Sequence, residues 1–412
     1  MGAAGRRPAD RAIPPRHQHA GQGHHRSAGG AQNNRREATH ARPGLSGIGL
    51  VGAGHRMVAA PHQTARSQRT SLMDFTFVVI TYNHEAYVLE HLESIAYQIL
   101  EYGQGRTFQL IIADDASKDQ TLALARHWLG QRASLFSDVQ IHTQATNQGT
   151  CRNYTKVWAH VRGSLCKLTA GDDVYSCENL LAEWRRLQDL DMSSGYPLNL
   201  IDGHLDWPAF YNANMVASNR IYARSNYMKR LLGISFNHTP SIIFSTRVLR
   251  DDVIRDFVQR FAVTEDYPMH VKMAERLSPL SFEQSPLVHI YYRRTAGSTY
   301  LTRSAAFDND KLAIFGYLRD HVAQGFERVL MRNRIFCYRQ ASKLMRRLLN
   351  LNYLVYGLRA ALHCFDILRD LRRLKPELEM HRLHYQTIRA RAEVQRAAFM
   401  RNCDGANHTS RM

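Results

Sequence analysis

The apolar residues of this chain fall first into short continuous runs and later into helical stripes. Phe75, Phe77, Val78, Val79 and Ile80 make a run too short for a helix and too continuous for an exposed strand, which predicts a buried parallel strand. It gives way to Thr81-Tyr82-Asn83-His84-Glu85, after which Leu89, Leu92, Ile95, Ala96 and Ile99 recur at helical spacing over residues 87–101. The pattern repeats: strand 108–113, loop Asp114 to Gln120, helix 121–131; strand 139–143, loop Asn147-Gln148-Gly149, helix 153–161. A fourth strand, 165–169, stops at Gly171-Asp172-Asp173, where glycine permits a sharp turn. The next predicted helix, 178–191, carries Leu180, Leu181, Trp184 and Leu187 on one face, with Ser176 as its cap. Strand-helix units of this size build a parallel sheet whose loops meet along one edge, so loops 81–85, 114–119 and 171–175 converge there. Further on, an apolar strand at 242–244 follows a His-Thr-Pro-Ser turn. A helix opens at Glu265-Asp266, with Pro268 in its first turn and Met269, Met273 and Leu277 along one face.

Charge divides the chain more sharply than hydropathy does. Its 412 residues carry a net +18, but residues 1–72 hold +9 and residues 305–412 hold +10, leaving −1 for residues 73–304. A folded centre that grips nucleic acid shows a basic face, and this centre is balanced, so no nucleic acid is expected for the core. Residues 1–72 contain no Phe, Tyr or Trp and are expected to be disordered. The abrupt start of a strand pattern at Met73 suggests that Met73 is the natural start and that what precedes it is an upstream extension. Mass spectrometry of the native N-terminus tests this. Residues 305–412 read as basic amphipathic helices, and no apolar run reaches the roughly 18 residues of a membrane span. Two readings of this tail stand: helices lying on an anionic membrane, or a subdomain packed on the core or on a second copy. Six cysteines without a C-x-x-C pair suggest reduced thiols in a cytoplasmic protein. The expected division is therefore 1–72, 73–304 and 305–412.

Adjacent carboxylates at Asp172 and Asp173 repel unless something positive lies beside them. They serve either a turn or a hard divalent cation that also binds a diphosphate.

Taken in order, Thr81-Tyr82-Asn83 with Glu85, Asp114-Asp115-Ala116-Ser117-Lys118-Asp119, Asn147-Gln148-Gly149, Gly171-Asp172-Asp173, Thr264-Glu265-Asp266 and Tyr292-Arg293-Arg294 resemble the family 2 glycosyltransferases of bacterial surface-polysaccharide type. The resemblance implies an α/β GT-A fold, a Rossmann-like mixed sheet, with a C-terminal α-helical region added. It implies that Thr81 and Tyr82 line the base and ribose site, with Glu85 and Asn147 nearby, and that Asp115 accepts a base N–H. Ser117 and Asp119 are expected to cap the next helix. Asp173 is implied as the principal ligand of Mg²⁺ or Mn²⁺, with Asp172 at the ribose or the cation's second side. Arg293 and Arg294 are implied as a phosphate clamp. Asp266 is implied as the general base, or reads as a plain N-cap; Glu265 and His238 are implied on the acceptor side. Two departures stand out: Ala116 replaces the family's glycine, and Thr295 replaces a common histidine.

The expected function is transfer of a sugar from a nucleotide-sugar, most simply a UDP-sugar, to a hydroxyl of a growing, lipid-linked surface glycan. Inversion is expected, at the inner face of the cell membrane. A nucleotidyltransferase is the nearest rival, but the loop after the first strand has no glycine. A non-catalytic scaffold working through its basic ends is the other.

Overall fold

The computed structural model describes residues 73–184, 187, 190–294, 304–340, 342–374 and 376–409. The expected N-terminal extension and the run Thr295 to Ser298 lie outside them. The chain divides between Ala65 and Arg66, and every described residue belongs to the second unit.

Among the described residues nine strands form one mixed sheet. They are β1 (Met73–Thr81), β2 (Phe108–Asp114), β3 (Asp138–His142), β4 (Gly163–Ala170), β5 (Val174–Tyr175), β6 (Met192–Ile201), β7 (His204–Asp206), β8 (Ile242–Ser245) and β9 (Phe282–Arg293). Their order is β3-β2-β1-β4-β8-β6-β9-β5, with β7 beside β6. Of the five strands read from sequence, β1 to β4 are mutually parallel, whereas the fifth, β8, runs against β4 and β6; β6 and β9 are parallel. The first half has the doubly covered character its apolar runs demand. Phe75, Phe77, Val79, Leu110 and Ile112 point into one core, and Val78, Ile111 and Leu168 into the core on the opposite face. Each such side chain contributes about 1.5–3 kcal/mol of burial.

The helices between β1 and β9 are α1 (Val88–Tyr102), α2 (Thr121–Arg132), α3 (Thr150–Lys156), α4 (Ala209–Ile221), α5 (Tyr227–Leu232), α6 (Asp252–Val258) and α7 (Asp266–Arg276). The five residues expected on the inner face of α1 are all buried. The helix expected over 178–191 is instead a 3₁₀ segment, Leu180–Trp184. Leu180, Leu181 and Leu187 are still buried, but Ser176 is no cap for a long helix: its hydroxyl donates to the Val288 carbonyl, tying this turn to β9.

The C-terminal region is helical, as expected: α8 (Ala305–Tyr317), α9 (Gly325–Tyr338), α10 (Lys343–Leu348), α11 (Leu351–Leu362), α12 (Cys364–Arg373) and α13 (Leu378–Thr409). Helix α13 lies along α1, burying His381, Tyr385, Ile388 and Ala392. Packing on the core thus describes α13, whereas α10 to α12 leave many apolar side chains in water. Among the described residues no helix is long and apolar enough to cross a membrane. All six cysteines are unpaired thiols.

Candidate active site

The carboxyl ends of β1, β2 and β4 meet as the sequence pattern requires, and their loops are laced together by backbone-to-side-chain bonds. The Thr81 hydroxyl donates to Asp114 Oδ1 (2.8 Å), and Asp114 also accepts the Ser117 amide (2.9 Å). Thr81 is therefore buried in the turn, which corrects its expected place against base and ribose; the ring of Tyr82 stays 41% exposed beside it. Gln120, at the N-cap of α2, makes no side-chain cap, but Asp119 Oδ1 accepts the amide of Thr121 (3.0 Å), the first residue of the helix, as a capping carboxylate does; Ser117 makes no such bond. Both also hold the first loop: Asn83 N donates to Ser117 Oγ and Glu85 N to Asp119 Oδ2, both at 2.9 Å. Glu85 answers by accepting the Gln120 amide (2.9 Å), so one of its oxygens serves the lacing rather than a ligand.

Ala116 sits in this lacing at φ 63°, a left-handed conformation that costs an L-residue about 1–2 kcal/mol. That is the physical sense of a glycine there. Ala116→Gly is expected to raise unfolding stability by about 1 kcal/mol in urea titrations.

Asp115 is buried, with Oδ1 accepting the Gln148 amide (2.8 Å) and Gln144 Nε2 (3.1 Å) and Oδ2 the Gly149 amide (2.9 Å). A carboxylate has about four acceptor positions, which leaves one for a base N–H. Asn147 turns its Oδ1 back to the Gly149 amide (2.9 Å). Gly149 adopts φ 86°, and a Cβ there would stand 3.3 Å from the Ala262 carbonyl, so this loop abuts the segment that leads into α7.

Gly171 is required for space rather than for its dihedral freedom, since a Cβ would come within 2.8 Å of Thr81 Cγ2. Beyond it Asp172 is half-buried and Asp173 fully buried. Asp173 Oδ1 accepts the Arg293 amide (2.9 Å), its carbonyl accepts His91 Nδ1 (2.8 Å), and its Oδ2 has no partner among the described residues. Burial first, and then the charge of Asp172, push the Asp173 carboxyl well above the usual range. An orphaned carboxylate oxygen next to a second carboxylate fits a divalent cation. No group of three His, Cys, Asp or Glu able to hold a metal occurs among the described residues, so the rest of its coordination would come from diphosphate and water.

Arg293 is not available as a phosphate clamp. Its guanidinium is 8% exposed, donates to the Asp172 carbonyl (2.6 Å), pairs with Glu90 on α1 (2.5 Å) and covers the Tyr87 ring. The backbone alternation that buries Arg293 turns Arg294 outward, and Arg294 is exposed.

On the other side of the cleft, Asp266 is the first residue of α7 and Glu265 precedes it; neither side chain caps the helix. Asp266 Oδ1 accepts the Tyr267 amide (2.6 Å). The half-buried Glu265 carboxyl is pushed up to about 8 by removal from water and then by Asp266. Two aromatic residues join the two carboxylate pairs. The Tyr292 hydroxyl is raised above its usual range by burial and then by Asp173 and Asp172, with a smaller contribution from Glu265. His238 meets the Tyr292 ring edge-on at 4.9 Å, and burial followed by Lys167 pushes its imidazole down to about 3, with Asp266 opposing. Asp172, Asp173, Glu265, Asp266 and Arg294 therefore all act electrostatically on Tyr292 or His238, and the Asp115 loop abuts the approach to Asp266 through Gly149.

Three contributors carried no local sequence signal. Asp310 on α8 accepts the amides of Ala262 (3.0 Å), Val263 (2.8 Å) and Thr264 (3.0 Å), fixing the approach to Asp266. Glu90 holds Arg293. Lys167, inside β4, is wholly buried, donates to the Pro240 carbonyl (2.8 Å) and is pushed down to about 7 by burial, with Asp173 resisting. A cavity of about 270 Å³ between α5, α9 and α11, with Lys229 and Arg359 in its wall, includes none of these groups.

Residues 76–256 match the model of glycosyl transferase family 2. That span, just under half of the chain, holds the strand-end loops and the Asp172–Asp173 pair but stops short of Asp266 and the β9 arginines. The family 2 match supports sugar transfer, and the α/β GT-A fold with a helical C-terminal region is the fold observed. An uncharacterized protein of Mycobacterium tuberculosis is 33% identical over 101 residues, 24% of this chain and 27% of that protein, so the chain spans about a quarter of its curated relative. Among solved structures, S. aureus TarS in complex with UDP aligns over 81% of this chain and 92% of its own at 17% identity and a TM-score of 0.47. A mannosyltransferase from Pyrobaculum calidifontis, in complex with GDP-Man and Mn²⁺, aligns over 80% and 88% at 16% identity and a TM-score of 0.48.

Proposed function

We propose that this protein transfers a sugar from a nucleotide-sugar, a UDP-sugar in the simplest case, to a hydroxyl of a growing lipid-linked glycan, with inversion. The observation that carries the reading is the place of Tyr292: its neighbour Arg293 donates its amide to Asp173 (2.9 Å) and its ring meets His238 at 4.9 Å, so that it stands between the Asp172–Asp173 pair and the acceptor-side residues. Tyr82 offers its exposed ring to the base, and Arg294 offers its fork to the diphosphate. Asp173 Oδ2 and Asp172 would hold Mg²⁺ or Mn²⁺, which when bound neutralises charge on the departing diphosphate. Glu265, whose carboxyl is raised by burial and then by Asp266, donates to the acceptor. Asp266 takes the proton from the attacking hydroxyl as its oxygen bonds to the anomeric carbon and the nucleoside diphosphate leaves.

The test is release of UDP from UDP-sugars with and without Mn²⁺. Asp173→Ala is expected to reduce release on the order of 10²–10³-fold, as does loss of one preorganised charge stabiliser. Asp172→Asn, on the more exposed side, serves where Asp173→Ala fails to fold. Release that ignores both the metal and these substitutions overturns the reading and favours a scaffold.

A further inference from the structure

The helices α10, α11 and α12 leave a row of apolar side chains in water, although Tyr356, Ala360, Ile367 and Leu371 of α11 and α12 pack inward. In α11 the polar Asn352 is buried at 2% exposure, its amide donating to the Leu330 carbonyl (2.9 Å), while Leu351, Leu354, Leu358 and Leu362 face outward at three- and four-residue spacing. Leu348 before them and Phe365 after them are 71% and 86% exposed. Scattered exposed leucines need no explanation, but a stripe across three consecutive helices does. Charge says what covers it. Residues 343–373 contain seven Lys and Arg against Asp366 and Asp370. Those two carboxylates are already engaged, Asp366 by Arg369 and Asp370 by Arg220, whereas Arg347, Arg372 and Arg373 remain exposed.

We infer that α10 to α12 form a docking face for an anionic lipid bilayer, with the outward leucines and Phe365 entering the interface and the free arginines meeting lipid phosphates. Apolar side chains interleaved with unpaired cations match that surface. Nucleic acid would supply the charge but nothing for the leucines, and a second copy of this basic face would bring cation against cation. The docking itself stands on this face alone; its purpose, bringing the enzyme to a lipid-linked acceptor, rests on the proposed transferase reading.

The experiment is sedimentation of the full chain with vesicles of phosphatidylcholine alone or with added phosphatidylglycerol, alongside size-exclusion chromatography and UDP release. The expected result is at least tenfold greater partitioning onto phosphatidylglycerol vesicles, weakened by high salt. Leu358→Glu with Leu362→Glu, and separately Arg372→Glu with Arg373→Glu, should each reduce it about tenfold while leaving UDP release unchanged, because these exposed residues lie outside the carboxylate cleft. Equal binding to both vesicle types, or undiminished binding by both variants, overturns the inference. So does a lipid-free dimer that the leucine variant converts to monomer. Vesicle binding without any UDP release would sink the transferase reading and leave the docking face standing.

Discussion

Asp266→Asn is expected to lower the rate of transfer at saturating donor and acceptor by about 10²–10⁴-fold, the usual worth of a positioned general base. Asparagine keeps the oxygen that receives the Tyr267 amide, so the start of α7 should hold and the unfolding midpoint should move little. Donor affinity should stay within a few-fold, because the charges that face the diphosphate belong to Asp172, Asp173 and Arg294. The informative control is Glu265→Gln. Burial and the charge of Asp266 favour the protonated, donating form of Glu265, and glutamine can still donate, so this variant should lose far less. Steady-state kinetics of both variants with one nucleotide-sugar and a simple acceptor decide the matter. If Glu265→Gln carries the loss and Asp266→Asn does not, the base has been misassigned.

The second large effect concerns stability, not chemistry. Arg293→Met is expected to destabilise the fold by about 3 kcal/mol, since it leaves the half-buried Glu90 carboxylate with only the Tyr385 hydroxyl and frees the Asp172 carbonyl. Adding Glu90→Met should recover part of that loss, because two apolar groups do not strand a charge. Arg294→Met should leave the denaturant midpoint nearly unchanged and raise the donor KM instead. Equilibrium unfolding together with donor kinetics separates the two arginines. A folded, stable Arg293→Met protein with only a raised KM would restore Arg293 to the phosphate.

That pair of neighbours shows where reading along the chain succeeds and where it stops. The arginine doublet is visible at the end of a strand, but the two-residue alternation sends one side chain into the protein and the other to water. Which is which depends on the register of β9 against β6. Thr81 failed for a related reason. A hydroxyl at a strand end suits a ribose or a turn equally well, and the neighbouring strand, which puts Asp114 opposite Thr81, settles it. Asp115, by contrast, was legible in kind but not in partners, because the Gln148 and Gly149 amides reach it from more than 30 residues away.

The run of apolar strand, polar loop and helical stripe determined the parallel half of the sheet, the inner face of α1 and the convergence of three acidic loops. These follow from the period of burial along a segment, which is local. Tertiary structure alone decided that Asp310 would fix the approach to α7, that Glu90 would claim Arg293, that Lys167 would be buried beneath Asp173, and that the 178–191 stripe would stop at a 3₁₀ turn. It also turned the leucines of α11 outward, since a 3.6-residue stripe says that a helix has two faces but not which one the rest of the protein will cover.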